Sequence, residues 1–427
     1  MRVQYKIAID NASLFKQKLH FFALNFNHFL ILNSNNYPAR FEYLAALDVV
    51  SVFKPEKEYF NELFQWHKHI KDWAFGHLSY DLKNHIEKLT SNHPDSIQFP
   101  LLFFFQPKYI IQIEKNQITY LYLTSSTENE VINLHQQIQR TKIETEFSIS
   151  PFKKRMEKHE YVQHVNNIKK HIQLGDVYEV NFCQEFYNTS FHANPSTCFN
   201  QLQLKSPMPF SAYYRLKEKF LLSASPERYL QKINQRIISQ PIKGTIKRTN
   251  HEQENVELKK QLRQNKKDVA ENIMIVDLVR NDLSLTALKN SVKVKELCGI
   301  YEFPTIFQMI STIESRIDKE LPFTEVIKTT FPMGSMTGAP KIKAMELIEK
   351  YETIKRGLYS GSVGYITPNG DFDFNVVIRS LQINSNHNYA SFITGGAITI
   401  LSNTEQEYEE CFVKAQGLLK SLQTTIE

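Results

Sequence analysis

A lysine lies between a proline and a glycine in the segment Pro241-Ile242-Lys243-Gly244-Thr245, at the end of an apolar run. Proline fixes one backbone angle and glycine permits close approach or an unusual conformation, so the turn can aim the amine with little slack. An amine held in this way can act as a nucleophile. The alternative is a solvated turn lysine, because most lysines are exposed.

Three glutamates could take part in the same chemistry. Glu227 lies one strand and one turn before Lys243, a spacing that suggests a general acid next to a nucleophile. Glu271 and Glu410 fall on separate predicted helices, and two such carboxylates could hold Mg²⁺, which prefers oxygen ligands. Ordinary ion pairs are the alternatives: Glu227 with Arg228, Glu271 with Lys267, and Glu410 with Lys414 at i, i+4.

A glycine-rich segment and an arginine are candidate anion-binding groups. The segment Gly334-Ser335-Met336-Thr337-Gly338-Ala339-Pro340 precedes a predicted helix, and the first amides of a helix lack partners and favour negative charge. It lacks the Gly-Lys-Ser/Thr that completes a P-loop. Arg379 falls on a predicted strand, where its guanidinium fork suits a carboxylate. A surface ion pair is the alternative for this arginine.

Three helices are predicted to position these groups. The first covers residues 268–281 and is capped by Asp268. The second follows the glycine-rich segment, with Pro340 in its first turn. The third begins at Thr404, which has capping-box spacing to Glu407. The apolar residues expected to face inward on the second and third helices are Ile342, Met345, Ile348, Tyr408, Phe412, Ala415 and Leu419.

Strands are predicted before and after these helices. Residues 372–381 and 389–401 follow the turn Pro368-Asn369-Gly370-Asp371. Near the amino terminus, strands and hairpins are predicted at residues 21–32, 101–105 and 110–123. The polar stretch 125–150 contains one helix and then loses apolar periodicity. We therefore expect a strand-rich segment over residues 1–150 and a second domain over residues 151–427.

Composition narrows the class of protein. The chain has 427 residues, of which 42% are hydrophobic and 22% charged, as expected for a folded protein with a large core or two domains. The net charge of +6 is mild and the basic runs are scattered, so nucleic-acid binding is not indicated. Four separated cysteines indicate neither a zinc site nor a disulfide framework and favour a reducing cytoplasm. No stretch has the roughly 20 apolar residues of a membrane helix.

The order and sequences of these motifs resemble those of one family, the chorismate-using enzymes that include component I of anthranilate synthase and of aminodeoxychorismate synthase. The resemblance covers essentially all of residues 151–427, and more loosely residues 76–84. The motifs that carry it are Ser225-Pro226-Glu227-Arg228, Pro241-Ile242-Lys243-Gly244-Thr245, Glu271-Asn272-Ile273-Met274-Ile275-Val276-Asp277-Leu278-Val279-Arg280-Asn281-Asp282, Thr337-Gly338-Ala339-Pro340-Lys341, Gly361-Ser362-Val363-Gly364-Tyr365, Ile378-Arg379-Ser380, and Glu410 to Lys414.

The resemblance implies a role for each candidate residue. Glu271 and Glu410 would bind the Mg²⁺ that neutralises the ring carboxylate of chorismate. Glu227 would be the general acid that helps the C4 hydroxyl leave, and Ser335 would lie beside the ring. The groups implied to hold the enolpyruvyl carboxylate are Tyr359, Arg379, the backbone amides of Gly395, Gly396 and Ala397, and Lys414.

Position 243 distinguishes members of this family. Anthranilate synthases typically carry alanine there, whereas enzymes that aminate C4 carry lysine. The resemblance therefore implies that Lys243 attacks C2 as the hydroxyl leaves C4, after which ammonia adds at C4 and releases the lysine. The product would be 4-amino-4-deoxychorismate, on the route to 4-aminobenzoate and folate. A lysine nucleophile must be neutral, so we expect a pKa lowered by burial or neighbouring cations.

Three positions depart from the family pattern. Glu179 stands where isochorismate-forming relatives use a water-activating lysine and ammonia users usually have glutamine. Gln308 stands where histidine is common, and Ala397 replaces the last glycine of a Gly-x-Gly. Two alternatives therefore stay open: anthranilate synthase, which aminates C2 and releases pyruvate, and a catalytically silent chorismate-binding subunit.

The resemblance also implies an architecture and a partner. The expected fold is α+β, with two intertwined subdomains whose antiparallel sheets pack face to face and helices outside. Residues 1–150 would correspond to the amino-terminal region of anthranilate synthase component I. The chain contains no recognisable glutamine amidotransferase domain, so ammonia would come from solution or from a separate glutaminase subunit, and we expect the latter.

Overall fold

The computed structural model describes residues 2–304 and 306–427. The described residues form two antiparallel sheets, one of twelve strands and one of ten, with helices packed against them. The strands, in chain order, are β1 (Arg2–Ala8), β2 (His28–Asn33), β3 (Tyr43–Leu47), β4 (Ser51–Phe53), β5 (Ala74–Leu78), β6 (Leu102–Gln106), β7 (Tyr109–Glu114), β8 (Gln117–Leu123), β9 (Lys153–Lys154), β10 (Glu179–Asn188), β11 (Phe210–Leu216), β12 (Lys219–Ser225), β13 (Arg228–Ile233), β14 (Arg236–Gln240), β15 (Ile242–Lys247), β16 (Lys293–Glu302), β17 (Ile306–Arg316), β18 (Gly338–Ala339), β19 (Ser362–Ile366), β20 (Phe372–Asn375), β21 (Ser380–Asn384) and β22 (Tyr389–Ile398).

Ten α-helices connect or cover these strands within the described residues. They are α1 (Ala12–Phe22), α2 (Tyr59–Ile70), α3 (Glu128–Arg140), α4 (Lys158–Gln173), α5 (Pro195–Lys205), α6 (Glu252–Gln264), α7 (Lys266–Ser284), α8 (Phe323–Thr330), α9 (Lys341–Tyr351) and α10 (Thr404–Leu422). Short 3₁₀ turns occur at Ala23–Asn25, Tyr80–His85, Gly334–Met336 and Ser385–His387.

Early and late strands pair with each other in both sheets. The larger sheet has the order β1-β8-β7-β3-β2-β11-β12-β21-β22-β10-β18, with β9 also on β10. The smaller sheet has the order β15-β17-β14-β13-β20-β19-β5-β6-β4, with β16 also on β17. The predicted α+β fold of two intertwined antiparallel sheets is confirmed, and the division at residue 150 stays a prediction.

An aromatic cluster lies between the two sheets. Phe75, Phe103 and Phe105 from the smaller sheet pack in one buried cluster with Leu30 and Tyr214 from the larger sheet. Burial of such large apolar groups is the main favourable contribution to folding. The two sheets therefore pack face to face, as predicted.

The structure corrects several predicted elements. Residues 21–25 are helical, so the strand predicted over 21–32 begins only at His28. The strand predicted over 372–381 is interrupted, and Arg379 lies in the link between β20 and β21 with a φ of 51°. That left-handed conformation cannot continue a strand.

The helix caps also differ from those predicted. The side chain of Asn265 caps α7 by accepting hydrogen bonds from the backbone amides of Lys267 and Asp268, so Asp268 is not the cap. Asn403 caps α10 in place of the Thr404 capping box. Asparagine is a stronger cap than threonine, which accounts for Asn403, whereas it is no stronger than aspartate, and Asn265 caps α7 because the helix begins at Lys266.

Most of the apolar positions predicted on the last two long helices face inward. Met345, Ile348, Tyr408 and Ala415 are buried, whereas Phe412 and Leu419 are only partly buried. Ile342 was expected inside but is 48% exposed. Pro340 precedes α9 as its cap residue, which shifts the start of the helix and turns Ile342 outward.

None of the helices in residues 2–304 and 306–427 combines the length and the hydropathy needed to cross a bilayer.

Candidate active site

Lys243 lies on β15, whose pairing with β17 shifts register between Ile242 and Thr245. Its Nζ donates a hydrogen bond of 2.8 Å to Oε1 of Glu179, the first residue of β10 in the other sheet. The lysine side chain is 10% exposed and that of Glu179 is fully buried. The amine is therefore a buried group in an ion pair, which excludes the solvated turn lysine.

The charge around Lys243 reverses one expectation. Burial alone lowers the pKa of this amine, but the carboxylates of Glu179, Glu271 and Glu227 outweigh burial, and the pKa is raised above its ordinary value. The predicted lowering of the pKa is wrong because the nearby charges are carboxylates rather than cations.

Glu227 occupies the link between β12 and β13 and is buried. Oγ of Ser335 donates a hydrogen bond of 2.6 Å to its Oε1. Burial raises the pKa of Glu227 to about 7, although this hydrogen bond and the charge of Lys243 oppose the rise. Arg228 instead donates to Asp373 at 2.9 Å, so the ordinary pairing of Glu227 with Arg228 does not occur.

The glycine-rich segment brings Ser335 to Glu227. It forms a 3₁₀ turn over Gly334–Met336 and the short strand β18, which pairs with the start of β10. Gly338 has a φ of 137°, and a Cβ there would lie 2.1 Å from the carbonyl oxygen of Glu179. The amides of Met336 and Thr337 are already bonded within the turn, so the segment is not the open anion cradle expected from its sequence.

A buried ion pair fixes this turn against β10. Arg356 pairs with Glu352 at 2.6 Å, and both side chains are at most 2% exposed. The guanidinium also donates to the carbonyl oxygens of Met336 at 2.6 Å and Asn181 at 2.7 Å. One side chain therefore joins the segment that carries Ser335 to the strand that begins with Glu179.

Glu271 and Glu410 contribute carboxylates from α7 and α10. Burial raises the pKa of Glu271 to about 7, and its Oε1 has no hydrogen-bond partner among the described residues. Glu410 is partly exposed and pairs with Lys414 at 2.7 Å, while Lys267 lies 3.8 Å from Glu271. Both ion-pair alternatives considered for these residues are therefore present in this structure.

These carboxylates fit a magnesium ion. A buried carboxylate oxygen without a partner is costly, and Mg²⁺ takes such oxygens together with water and substrate oxygens. The described residues contain no group of three or more His, Cys, Asp or Glu side chains arranged as a metal site. Glu271 and Glu410 would therefore hold the ion with non-protein ligands completing its coordination.

A glycine on β22 leaves space beside the α10 carboxylates. A Cβ on Gly396 would lie 3.1 Å from Oε2 of Glu407 and 3.6 Å from Oε1 of Glu410. Glu407 is buried, pairs with Lys267 at 3.0 Å, and has an Oε2 without a partner among the described residues. Glu407 thus belongs to the same carboxylate cluster.

The residues expected to hold a substrate carboxylate are only partly assembled. Lys414 donates to the carbonyl oxygen of Gly395 at 2.7 Å. Arg379 is partly buried, and no hydrogen bond from its guanidinium is present within residues 2–304 and 306–427. Burial lowers the pKa of Arg379 to about 10, and Glu227 is near enough to oppose this. Tyr359 is buried, with its hydroxyl 3.4 Å from Sγ of Cys183.

The strand pairing locates the backbone groups of this set. Ala397, Gly396 and Gly395 on β22 lie opposite Asn181, Phe182 and Cys183 on β10. A Cβ on Gly395 would lie 2.1 Å from the carbonyl oxygen of Phe182, so only glycine fits there. The three residues are therefore held by the same strand that begins with Glu179.

Gln308 lies on β17 opposite Thr245 of β15. It is buried, and its Oε1 has no partner among the described residues. A buried amide oxygen without a donor points to a missing partner such as water or ligand. Gln308, which stands where the family commonly has histidine, thus lies opposite Thr245, the residue two positions after Lys243 on β15.

Sequence reasoning did not assign a site role to Glu179, Glu407 or Arg356. Glu407 precedes Glu410 by three residues, and this i, i+3 spacing on one helix is a signal that could have identified it. Glu179 was noticed only as a departure, because the pairing of β10 with β18 and the position of β15 are tertiary facts. Arg356 has no local signal in the sequence.

The fold and the site define a chorismate-using class of enzyme, and comparisons with known proteins agree. Residues 39–420 match the family described as chorismate binding enzyme. The chain therefore belongs to the chorismate binding enzyme family.

Named relatives fall within two activities. Aminodeoxychorismate synthase component 1 of Salmonella typhimurium is 38% identical over 67% of this chain and 62% of its own length. The protein of the same name from Escherichia coli is 33% identical over 82% of this chain and 77% of its own length. Anthranilate synthase component 1 of Thermus thermophilus is 30% identical over 82% of this chain and 77% of its own length.

A solved structure confirms the fold. Anthranilate synthase component I of Streptococcus pneumoniae superposes with a TM-score of 0.74 over 98% of this chain and 92% of that chain, at 22% sequence identity. The match extends over both sheets, which agrees with the intertwined architecture.

Proposed function

We propose that the protein is an aminodeoxychorismate synthase component I, which aminates chorismate at C4 with ammonia in a Mg²⁺-dependent reaction and yields 4-amino-4-deoxychorismate for 4-aminobenzoate and folate synthesis. The observation that carries the proposal is the buried amine of Lys243 beside Glu227 and Glu271. A nucleophile, an acid and a metal-binding carboxylate in one cluster of mostly buried side chains suit displacement of a poor leaving group. Relatives with this name at 33% to 38% identity also support it.

Glu227 is the general acid in this proposal. Its pKa of about 7 leaves a large fraction protonated near neutral pH, so it can give a proton to the departing C4 hydroxyl. Ser335 fixes the carboxyl group through its hydrogen bond. Lys243 attacks C2 as the C4–O bond breaks, and both ring double bonds shift, from C1=C2 and C5=C6 to C1=C6 and C4=C5.

Two sets of groups would hold the substrate's two carboxylates. Mg²⁺ bound by Glu271 and Glu410 would neutralise the ring carboxylate. Arg379, Lys414, Tyr359 and the amides of residues 395–397 would hold the enolpyruvyl carboxylate. Among the described residues the guanidinium of Arg379 has no hydrogen-bond acceptor, and its partly buried position supports this role.

Ammonia is the second substrate. We assign its supply to a separate glutamine amidotransferase subunit, and the designation component 1 in the relatives' names supports a multi-component enzyme. A cytoplasmic location stays part of the proposal, and it rests on the scattered cysteines, all four of which are free thiols in the described structure.

The test supplies chorismate, Mg²⁺ and ammonium to the full chain and couples the product to an added aminodeoxychorismate lyase. The unaltered protein should form 4-aminobenzoate, and Lys243→Ala should lose most of this activity. Lys247→Ala is the matched control, because Lys247 is an exposed lysine on the same strand. Anthranilate and pyruvate as the main products of the unaltered protein would overturn the proposal in favour of anthranilate synthase. Absence of both amines would favour a silent subunit.

A further inference from the structure

The carboxylate of Glu179 is the nearest polar group to the Lys243 amine. Its Oε1 accepts the 2.8 Å hydrogen bond from Nζ, and its Oε2 is buried without a partner among the described residues. The Glu179 side chain is fully buried, and that of Lys243 is 10% exposed. Such an isolated pair is costly unless the two charges face each other closely.

The backbone of Glu179 is held on two sides. Val180, the next residue, pairs with Gly338 of β18 and with Ile398 of β22. The carbonyl oxygen of Glu179 lies so close to Gly338 that no side chain fits there. The carboxylate is therefore presented to Lys243 by a rigid part of the larger sheet.

The proposed reaction requires that Lys243 lose a proton from Nζ before it attacks the substrate. Lys243 donates from Nζ to a buried carboxylate at 2.8 Å, the geometry of an ammonium–carboxylate pair, and an ammonium ion has no lone pair with which to attack C2. The carboxylate of Glu179 is the acceptor already in contact with Nζ, at 2.8 Å. Direct transfer to this carboxylate is the shortest route for the proton.

We propose that Glu179 is the proton partner of Lys243: it orients the amine, accepts its proton before attack on C2, and returns that proton when the amine is released. This inference rests on the proposed function. The family's more common glutamine at this position can orient an amine but cannot take up its proton, so Glu179 gives this chain a different way to generate the nucleophile.

The proton and bond changes balance. Transfer from Nζ to Oε1 leaves a neutral amine and a neutral carboxylic acid. The amine then forms the Nζ–C2 bond, the C4–O bond breaks, and Glu227 supplies the proton that releases water. Ammonia forms the C4–N bond as the Nζ–C2 bond breaks, the new C4 ammonium returns a proton to Glu227, and Glu179 returns its proton to Lys243.

Other charged groups surround the Lys243 amine, and they must stay unchanged in every variant whose adduct rate is compared. They are Glu227 from the β12–β13 link, Glu271 from α7 and Glu410 from α10, with Lys267, Lys414 and Arg379 next to those carboxylates. A comparison of variants at position 179 alone keeps all of them in place.

The experiment follows the first chemical step without ammonia. Full-length protein is mixed with chorismate and Mg²⁺, quenched at timed intervals, and analysed by intact-mass and peptide mass spectrometry for an adduct on Lys243 equal to chorismate less one water. The proteins are the unaltered chain, Glu179→Gln, Glu179→Asp and Lys243→Ala, and the last should form no adduct.

Glu179→Gln should slow adduct formation on the order of a hundredfold near neutral pH. Its deficit should shrink as pH rises, because its amine must lose the proton to solvent, whereas the original pair transfers the proton internally. Glu179→Asp keeps a carboxylate and should recover part of the rate with the pH dependence of the unaltered protein. A merely structural role would give a deficit that does not change with pH.

Asp72→Asn is the matched control for breaking a buried ion pair. Asp72 pairs with Arg2 at 2.7 Å with both side chains 8% exposed, and this pair lies on residues with no place in the site. It should leave the adduct rate unchanged. If Glu179→Gln does not fold, as judged by circular dichroism, the Glu179→Asp variant decides. A Glu179→Asp protein whose adduct rate has a different pH dependence from that of the unaltered protein would overturn the inference.

The two proposals fail in different ways. An unaltered protein that forms the adduct and the 4-amino product, with a Gln variant that matches it at every pH, overturns only the role of Glu179. An unaltered protein that forms neither the adduct nor the product overturns the proposed function and this inference together.

Discussion

Ser335 donates a hydrogen bond of 2.6 Å from its Oγ to Oε1 of Glu227, and both residues are buried. The bond stabilises the carboxylate against a site that otherwise favours the protonated form. The serine therefore limits how far burial raises the pKa of the proposed acid. It also joins a 3₁₀ turn to the link between two strands.

Ser335→Ala should raise the pKa of Glu227 above its value of about 7. Glu227 acts in its protonated form, so activity falls as pH rises through this pKa, and the basic limb of the kcat/KM profile should move to higher pH by roughly 1 unit, the equivalent of one charge-assisted hydrogen bond. The profile should be measured at constant free ammonia. Ser421→Ala removes a buried hydroxyl on α10 that bonds Gly417 and serves as the control. An unmoved limb would count against the acid role of Glu227.

Glu271→Gln and Glu410→Gln should each raise the Mg²⁺ concentration needed for half-maximal activity, on the order of tenfold or more, because each removes an anionic oxygen ligand. Titration calorimetry with Mg²⁺ provides a measurement independent of turnover. The control is Glu409→Gln, since Glu409 neighbours Glu410 but is 63% exposed and contacts Lys158. Unchanged Mg²⁺ dependence in either site variant would remove that residue from the metal site.

Arg356→Met should lower the free energy of unfolding by about 3–5 kcal/mol, because Glu352 would remain as an unpaired buried charge. The double variant Glu352→Leu/Arg356→Met should recover part of this loss. Recovery should be incomplete, since the carbonyl oxygens of Met336 and Asn181 lose their donor. Urea unfolding measures each value. Lys260→Met removes an exposed ion pair with Glu257 and should cost less than about 1 kcal/mol.

Gly396→Ala should weaken Mg²⁺ binding by roughly twofold to tenfold while leaving the protein folded. The new methyl group would lie 3.1 Å from Glu407 and 3.6 Å from Glu410, so the carboxylates must move by a few tenths of an ångström. Gly417→Ala, on the same helix as those carboxylates, is the control. Its Cβ would meet nothing closer than Ser206 at 3.8 Å, and it should stabilise the protein by about 0.5–1 kcal/mol. Equal Mg²⁺ affinity in Gly396→Ala and the unaltered protein would contradict the crowding argument.

The sequence predicted which side chains meet in the site, but it did not predict the environment in which they meet. Lys243 and Glu227 could be chosen from local motifs and Ser335 from the family resemblance, and the structure places the three close together. The pKa of Lys243 could not be predicted in the same way. Its direction depends on carboxylates from β10, α7 and the β12–β13 link, which are brought together only by the tertiary fold.

Local backbone geometry marks another limit of sequence reasoning. The apolar residues around Arg379 favour a continuous strand, but the chain breaks there because Arg379 adopts a left-handed conformation. Two helix starts were predicted to within a few residues, although with the wrong capping residue, since several side chains near each start are able to cap. The turn at Pro368 to Asp371 was correct because proline and glycine strongly restrict such segments.

The pairing of early with late strands has a consequence for biosynthesis. Strand β2 lies between β3 and β11, and β5 lies between β6 and β19. During translation, β2 is made about 180 residues before its partner β11, and β5 is made nearly 290 residues before its partner β19. Until then their edges are open to unwanted pairing. The nascent chain should therefore depend on chaperones that shield strand edges until the ribosome has released most of the polypeptide.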